Sequence, residues 1–136
     1  MTNRAQEDVA KLLIRLVCGC LLFLHGSNTL LTGSLHINDI LRSNGLPEFL
    51  AYGNYVAEVV APVFLVLGYK ARIAALIIAF NMFMSIVIAH RDIVFARNDY
   101  GGWMIELNVF YLVTALVVFF LGSGKYSLAK GQGRWD

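Results

Sequence analysis

Charge is scarce in this sequence. Of 136 residues, 11 are lysine or arginine and 9 are aspartate or glutamate, 15% in all, against 58% hydrophobic. A soluble domain carries roughly a quarter charged residues, so a water-surrounded globule is excluded. The formal net charge is only +2 and no Lys/Arg cluster occurs, which leaves no footprint for nucleic acid. Cysteine is nearly absent. Cys18 and Cys20 stand two apart in one apolar run, where a helix points them about 200° away from each other. They do not bridge one another, no C-x-x-C or paired-cysteine zinc spacing occurs, and both read as small packing residues. No Ser/His/Asp constellation or phosphate-cradling loop is present; Gly122-Ser123-Gly124-Lys125 lacks the full pattern and reads as a helix stop. The first apolar run has no small-residue cleavage site, so it is expected to be retained rather than removed as a signal.

What fills the chain is hydrophobic length. Mean hydropathy is +0.65, and crossing a bilayer takes roughly 20 apolar residues. Four stretches qualify, at about 10–31, 52–68, 73–89 and 103–121, within one integral-membrane domain. The expected fold is all-α: four transmembrane helices in an antiparallel bundle. Residues 1–9 are polar and belong in water. Between the first two spans, Leu35, Ile37, Ile40 and Leu41 alternate with Asn38, Asp39 and Arg42 before Gly45-Leu46-Pro47. That pattern predicts a short amphipathic helix on the membrane surface. Only Gly68 to Arg72 separate the second and third spans, which predicts a tight antiparallel hairpin. Arg4, Lys11, Arg15, Lys70, Arg72, Lys125, Lys130 and Arg134 fall on one side, with Arg42, Arg91 and Arg97 on the other. The positive-inside rule then puts both termini in the cytoplasm. Tyr52, Tyr55, Tyr100 and Trp103 form an expected outer aromatic belt.

Inside this apolar frame the polar residues are informative. Glu58 lies within the second span with Pro62 four residues later. Proline has no N–H, so the Glu58 carbonyl loses its helical donor beside an ionisable side chain. In the first span Arg15, Cys18, Leu22, His25 and Thr29 share one face, with Gly19 and Gly26 beside it; small residues there admit a close neighbour. The helical rise places His25, Asn28, Glu58, Glu106 and Asn108 at similar depths near the outer ends of three spans, with His90 at the end of the third. Two readings follow. These groups satisfy one another as interhelical links, or they line a shallow outer pocket suited to proton exchange or hydrogen bonding with a quinone head. Asn81 near the midplane and Arg15 toward the inner side give only a thin route for a solute. No haem, nucleotide or metal is predicted, since no pair among His25, His90, Glu58 and Glu106 shows the helical spacing of a metal site and His90 lies too near the surface to face His25 across a haem.

The chain resembles the DoxX family of small bacterial membrane proteins. The resemblance runs from about Leu12 to Leu128. It is carried by Arg15-Leu16 with Gly19, Leu24-His25-Gly26-Ser27-Asn28, Gly45-Leu46-Pro47, Ala57-Glu58, Leu65-Val66-Leu67-Gly68, Arg72-Ile73-Ala74-Ala75, Glu106 and Gly122-Ser123-Gly124-Lys125-Tyr126-Ser127-Leu128. It departs from the family pattern at Thr29, where a lysine is common, and at Val59-Val60-Ala61-Pro62, where a glycine-rich stretch is common. The resemblance implies a four-helix protein of the bacterial inner membrane linked to respiratory or thiol redox systems. Relatives are described as subunits of thiosulfate:quinone oxidoreductase or as quinol-oxidase components. On this reading the chain is at most a subunit of a quinone-linked oxidoreductase, with quinone as its cofactor. His25 and Glu58 would exchange protons with the head group, oriented by Asn28, Glu106 and Asn108. Since the chain holds no electron carrier of its own, a redox enzyme partner within the bilayer is implied. The alternative is a non-catalytic assembly or interaction subunit, and a second copy of the chain is open as a partner under either reading.

Overall fold

The computed structural model describes residues 3–33 and 35–136, without the Leu35 side chain. Met1, Thr2, Ser34 and the expected apolar contact of Leu35 therefore lie outside the described residues. Among the described residues the α-helical elements follow in order: α1 (Asn3–Thr32), α2 (Leu35–Ser43), α3 (Leu50–Leu67), α4 (Ala71–Ala89) and α5 (Glu106–Leu121), with a short 3-10 turn at Arg91–Ile93. By length and composition α1, α3 and α4 are long and apolar enough to cross a membrane, and α5 is a shorter apolar helix. At 16 residues, α5 spans about 24 Å, less than a hydrocarbon core of about 30 Å.

Two helix boundaries differ from expectation for local reasons. α1 begins at Asn3, so most of the polar N-terminal segment is helical, continuing the first span. α5 begins at Glu106 rather than Trp103 because the preceding loop satisfies its own backbone. Asn98 Oδ1 accepts from the N–H groups of Tyr100 (3.1 Å) and Gly102 (2.8 Å), and Arg97 pairs with Trp103 across that turn. Asparagine side chains mimic a backbone turn in this way.

α3 is not a uniform helix. With no N–H at Pro62, the Ala61 N–H reaches back five residues to the Val56 carbonyl, and Val56–Val60 opens into a single π turn. The π turn holds Glu58. Opposite it on α1 lies Gly26, where an added Cβ would overlap the Glu58 carbonyl oxygen and stand 2.6 Å from its carbonyl carbon. About two turns earlier, Gly19 meets Val66 and the Pro62 carbonyl in the same way. The two glycines let α1 lie backbone-to-backbone along α3, a packing mode that lipid-embedded helices favour.

The core is built from small side chains. Ala61, Ala71, Ala74, Ala75, Ala79 and Ala115 are buried with Cys18, Leu22, Leu65, Ile78 and Val118. Large apolar residues such as Leu24, Phe80, Phe110 and Phe120 are exposed around the outside, the arrangement of a surface that faces hydrocarbon rather than water. Cys18 is buried and Cys20 exposed, both as free thiols.

One end of the bundle, the terminal face, gathers both chain ends around the α3–α4 hairpin. Gly68 closes α3 in the left-handed conformation (φ 67°), and a Cβ there would overlap Arg15 Nη1; conformation and space both require glycine. Arg15 is completely buried. Its Nη1 donates to the Leu65 carbonyl (3.4 Å) and its Nη2 to the Tyr126 carbonyl. Among the described residues no carboxylate lies within ion-pair distance of it. The segment after α5 is thereby drawn under the bundle. Leu128 N–H donates to the Leu67 carbonyl (3.0 Å), Arg72 N–H to Trp135 (3.1 Å), and Lys125 N–H to Asp8 Oδ1 (3.1 Å). The opposite end, the loop face, carries α2 and the α4–α5 connection.

Candidate ligand-binding cavity

Toward the loop face, α2, α3 and α4 enclose a cavity of about 550 Å³. α2 lies over it through Ile37, Ile40 and Leu41, and the apolar walls come from α3 (Leu50, Val56, Ala57) and α4 (Ile77, Phe80, Met84, Ile88). The expected amphipathic segment therefore acts as a cover. Its end is tied to the start of α3 across the Gly45 turn, where Arg42 Nε donates to Glu48 Oε1 at 2.6 Å. The Glu48 carboxylate holds the Arg42 guanidinium above its usual range. Both groups are well exposed, so the pair orients the turn more than it stabilises the fold.

Among the described residues, three polar side chains line this cavity: Asn54, Asn81 and Ser85. Asn81 Nδ2 donates to Asn54 Oδ1 at 3.1 Å and makes a long contact of 3.5 Å with Glu58 Oε1. Glu58 is 7% exposed and sits behind the two asparagines, with Asn54 within hydrogen-bonding reach and His25 within charge–charge reach of its carboxyl. Ser85 is the second polar point, one helical turn from Asn81. Its Oγ accepts from Asn108 Nδ2 (3.1 Å), and its carbonyl meets His90 Nδ1 at 3.0 Å. A mostly apolar recess with a few convergent polar groups is the usual form of a small-molecule site.

The five residues expected to form one cluster are thus distributed over several places. Glu58 stands behind the cavity wall, and His25 is on the exposed side of α1 near it. Asn108 approaches the cavity only through Ser85. Asn28 is exposed on α1, its carbonyl accepting the Thr32 hydroxyl at 2.8 Å. Glu106 is exposed at the start of α5, its carboxyl lying over Gly102 beside Asn98. The side chains that do face the cavity, Asn54, Asn81 and Ser85, carried a readable signal. Asn54 and Glu58, and Asn81 and Ser85, are i, i+4 pairs on the two arms of one hairpin, and such pairs share a helical face.

Fold and cavity define a helical membrane protein with a lipid-depth recess covered by an amphipathic helix. The chain matches the DoxX family over residues 10–91, more than half its length, and it belongs to that family. The match takes in α1 from Ala10, all of α2 to α4 and every described residue that lines the cavity; α5 and the C-terminal segment, included in the expected resemblance, lie beyond it. No curated protein and no solved structure matches.

Proposed function

We propose that this protein is a redox-linked membrane subunit that binds a quinone, or a hydrophobic molecule with a similar head, in the cavity under α2. The observation that carries the reading is the lining itself: apolar on every wall except at Asn54, Asn81 and Ser85, with a buried carboxyl behind two of them. The donor set suits a head with oxygens on opposite sides. Asn54 has one amide N–H beyond the one within reach of Glu58, and the Ser85 hydroxyl, whose oxygen accepts from Asn108, is free to donate when His90 Nδ1 carries a proton toward the Ser85 carbonyl. A quinone, when bound, would supply two-electron, two-proton carrier chemistry. Asn81 would hold the Glu58 carboxyl toward the cavity. Glu58 would take up or release a proton at Oε1, and His25 would pass it to the exposed side of α1. No electron carrier comes from the chain's own side chains, so a redox enzyme partner is part of this reading.

Placement in the bacterial inner membrane, with the terminal face cytoplasmic, is supported by the family and by the lysines and arginines gathered at that face. A second reading makes the protein a non-catalytic assembly subunit. It is favoured by the same bonds, since Asn54–Asn81 ties α3 to α4 and Ser85–Asn108 ties α4 to α5. Titrating a tailless benzoquinone into protein in lipid nanodiscs separates the two. Asn81→Leu keeps the branched outline but removes the amide. The redox reading expects about a tenfold weaker Kd, the worth of one hydrogen bond, and Tm within a few degrees of wild type. A fall in Tm with no quinone-dependent signal in either protein would favour the assembly reading.

A further inference from the structure

A second cavity, of about 180 Å³ and lined by apolar side chains and the stem of Lys70, lies along the same α3–α4 seam nearer the terminal face. The two cavities share Val56 and Ile77 as a common rim. From that rim the second passes Val60 and Phe64 of α3 and Ile73 and Ala74 of α4, and it ends at Lys70. The run from Val56 to Phe64 is about 12 Å along the helix. Hydrogen-bonding side chains face it at one end only, at Asn54 and Asn81 of the first cavity; at the other end Lys70 contributes its apolar stem, its Nζ lying over the Tyr69 ring at 5.7 Å from the centroid. The side walls stay open: Val56 is 44% and Val60 47% exposed.

Resting on the head-group reading above, we infer that these cavities form one track for one molecule. Its hydrogen-bonding head sits at Asn54 and Asn81, and an apolar chain passes the Val56–Ile77 rim into the second cavity. The ligand class is therefore a chain-bearing quinone or comparable isoprenoid lipid, and the chain points toward the terminal face. The π turn contributes directly. Pro62 and the displaced hydrogen bond at Val56–Val60 widen α3 where the chain must pass, and Ala61 and Ala74, both without bulk, stand on either side of the passage. The polarity of the track decides the direction. A head placed at Lys70 would have no hydrogen-bonding wall around it, whereas one at Asn81 has Asn54 and Ser85 within a helical turn.

Photo-crosslinking reads the direction without relying on activity. The probe is a benzoquinone with an alkyl chain of about 12 Å ending in a diazirine, incubated with the full-length protein in nanodiscs and mapped by peptide mass spectrometry. The expected label falls on Val60, Phe64 or Ile73. It is competed away by unlabelled quinone, and it is lost in Asn81→Leu and, separately, in Val60→Trp and Ile73→Trp, which fill the track. A fatty acid carrying the same diazirine should label the outer surface evenly, as an annular lipid chain does. Asn81-dependent label confined to α2, or spread over outward residues such as Phe120, would overturn the track while leaving the head-group reading in place. Label that ignores Asn81 altogether would overturn both.

Discussion

Gly26→Val is expected to prevent stable assembly of the bundle. The new side chain would overlap the Glu58 carbonyl, and the obstacle is backbone in the π turn rather than the end of a flexible side chain. Overpacking usually costs about 1–3 kcal/mol. Here α1 must move away from α3, so a loss of about 3 kcal/mol or more is expected. In detergent this reads as a broad, early thermal transition or loss of the monodisperse peak. Gly53→Ala provides the contrast. It too lies in α3, but an added Cβ there meets nothing within 4 Å, so its Tm should stay near wild type. A Gly26→Val protein that melts with wild type would mean that α1 does not rest on the π turn.

Arg15→Met is expected to release the C-terminal segment while leaving the helices in place. The guanidinium holds the Tyr126 carbonyl against the end of α3, and hydrogen bonds to a charged donor contribute about 1.5–3 kcal/mol each. Removing the buried charge also removes its desolvation penalty, so global stability should fall less than local anchoring does. Losing about 2 kcal/mol of anchoring raises the open population roughly thirtyfold, and tryptic cleavage at Lys125 and Lys130 should accelerate by that order when opening precedes cutting. The cleaved product should keep the helix content of α1 to α5. Unchanged cleavage would show that the tail is held by Leu128, Arg72 and Lys125 alone.

Much of this architecture was legible in the sequence because lipid imposes strict requirements. Apolar length announced the spans, and Gly45-Leu46-Pro47 announced the end of the amphipathic helix that became α2. Glu58 with Pro62 marked the one helix whose hydrogen bonding had to change; the sequence pointed to a freed carbonyl, and the fold answers with a π turn. The beginning of α5 was not legible, because the Asn98 turn satisfies a backbone that hydropathy alone assigned to a helix. The site was legible only in part. Depth along a helix can be counted from its ends, but rotation about the axis decides which side chains meet. Asn28 lies near the depth of Glu58 yet is exposed on α1, whereas Glu106 fails on depth, because α5 begins only there and its carboxyl lies over the loop at Gly102. Asn54 has the right depth and rotation but sits among tyrosines at a span end, where it reads as interfacial. The role of Arg15 was not legible for a different reason: its carbonyl partner at Tyr126 lies 111 residues away, beyond any local pattern.

The central claim is that the recess under α2 holds a quinone by way of Asn81 and the carboxyl behind it. Its most direct test is mass spectrometry of the organic extract from protein purified gently in mild detergent, comparing wild type, Asn81→Leu and Glu58→Gln at equal protein. Quinone near one per chain in wild type and strongly depleted in both variants is the predicted result. Quinone absent from wild type, or present equally in all three, would contradict it.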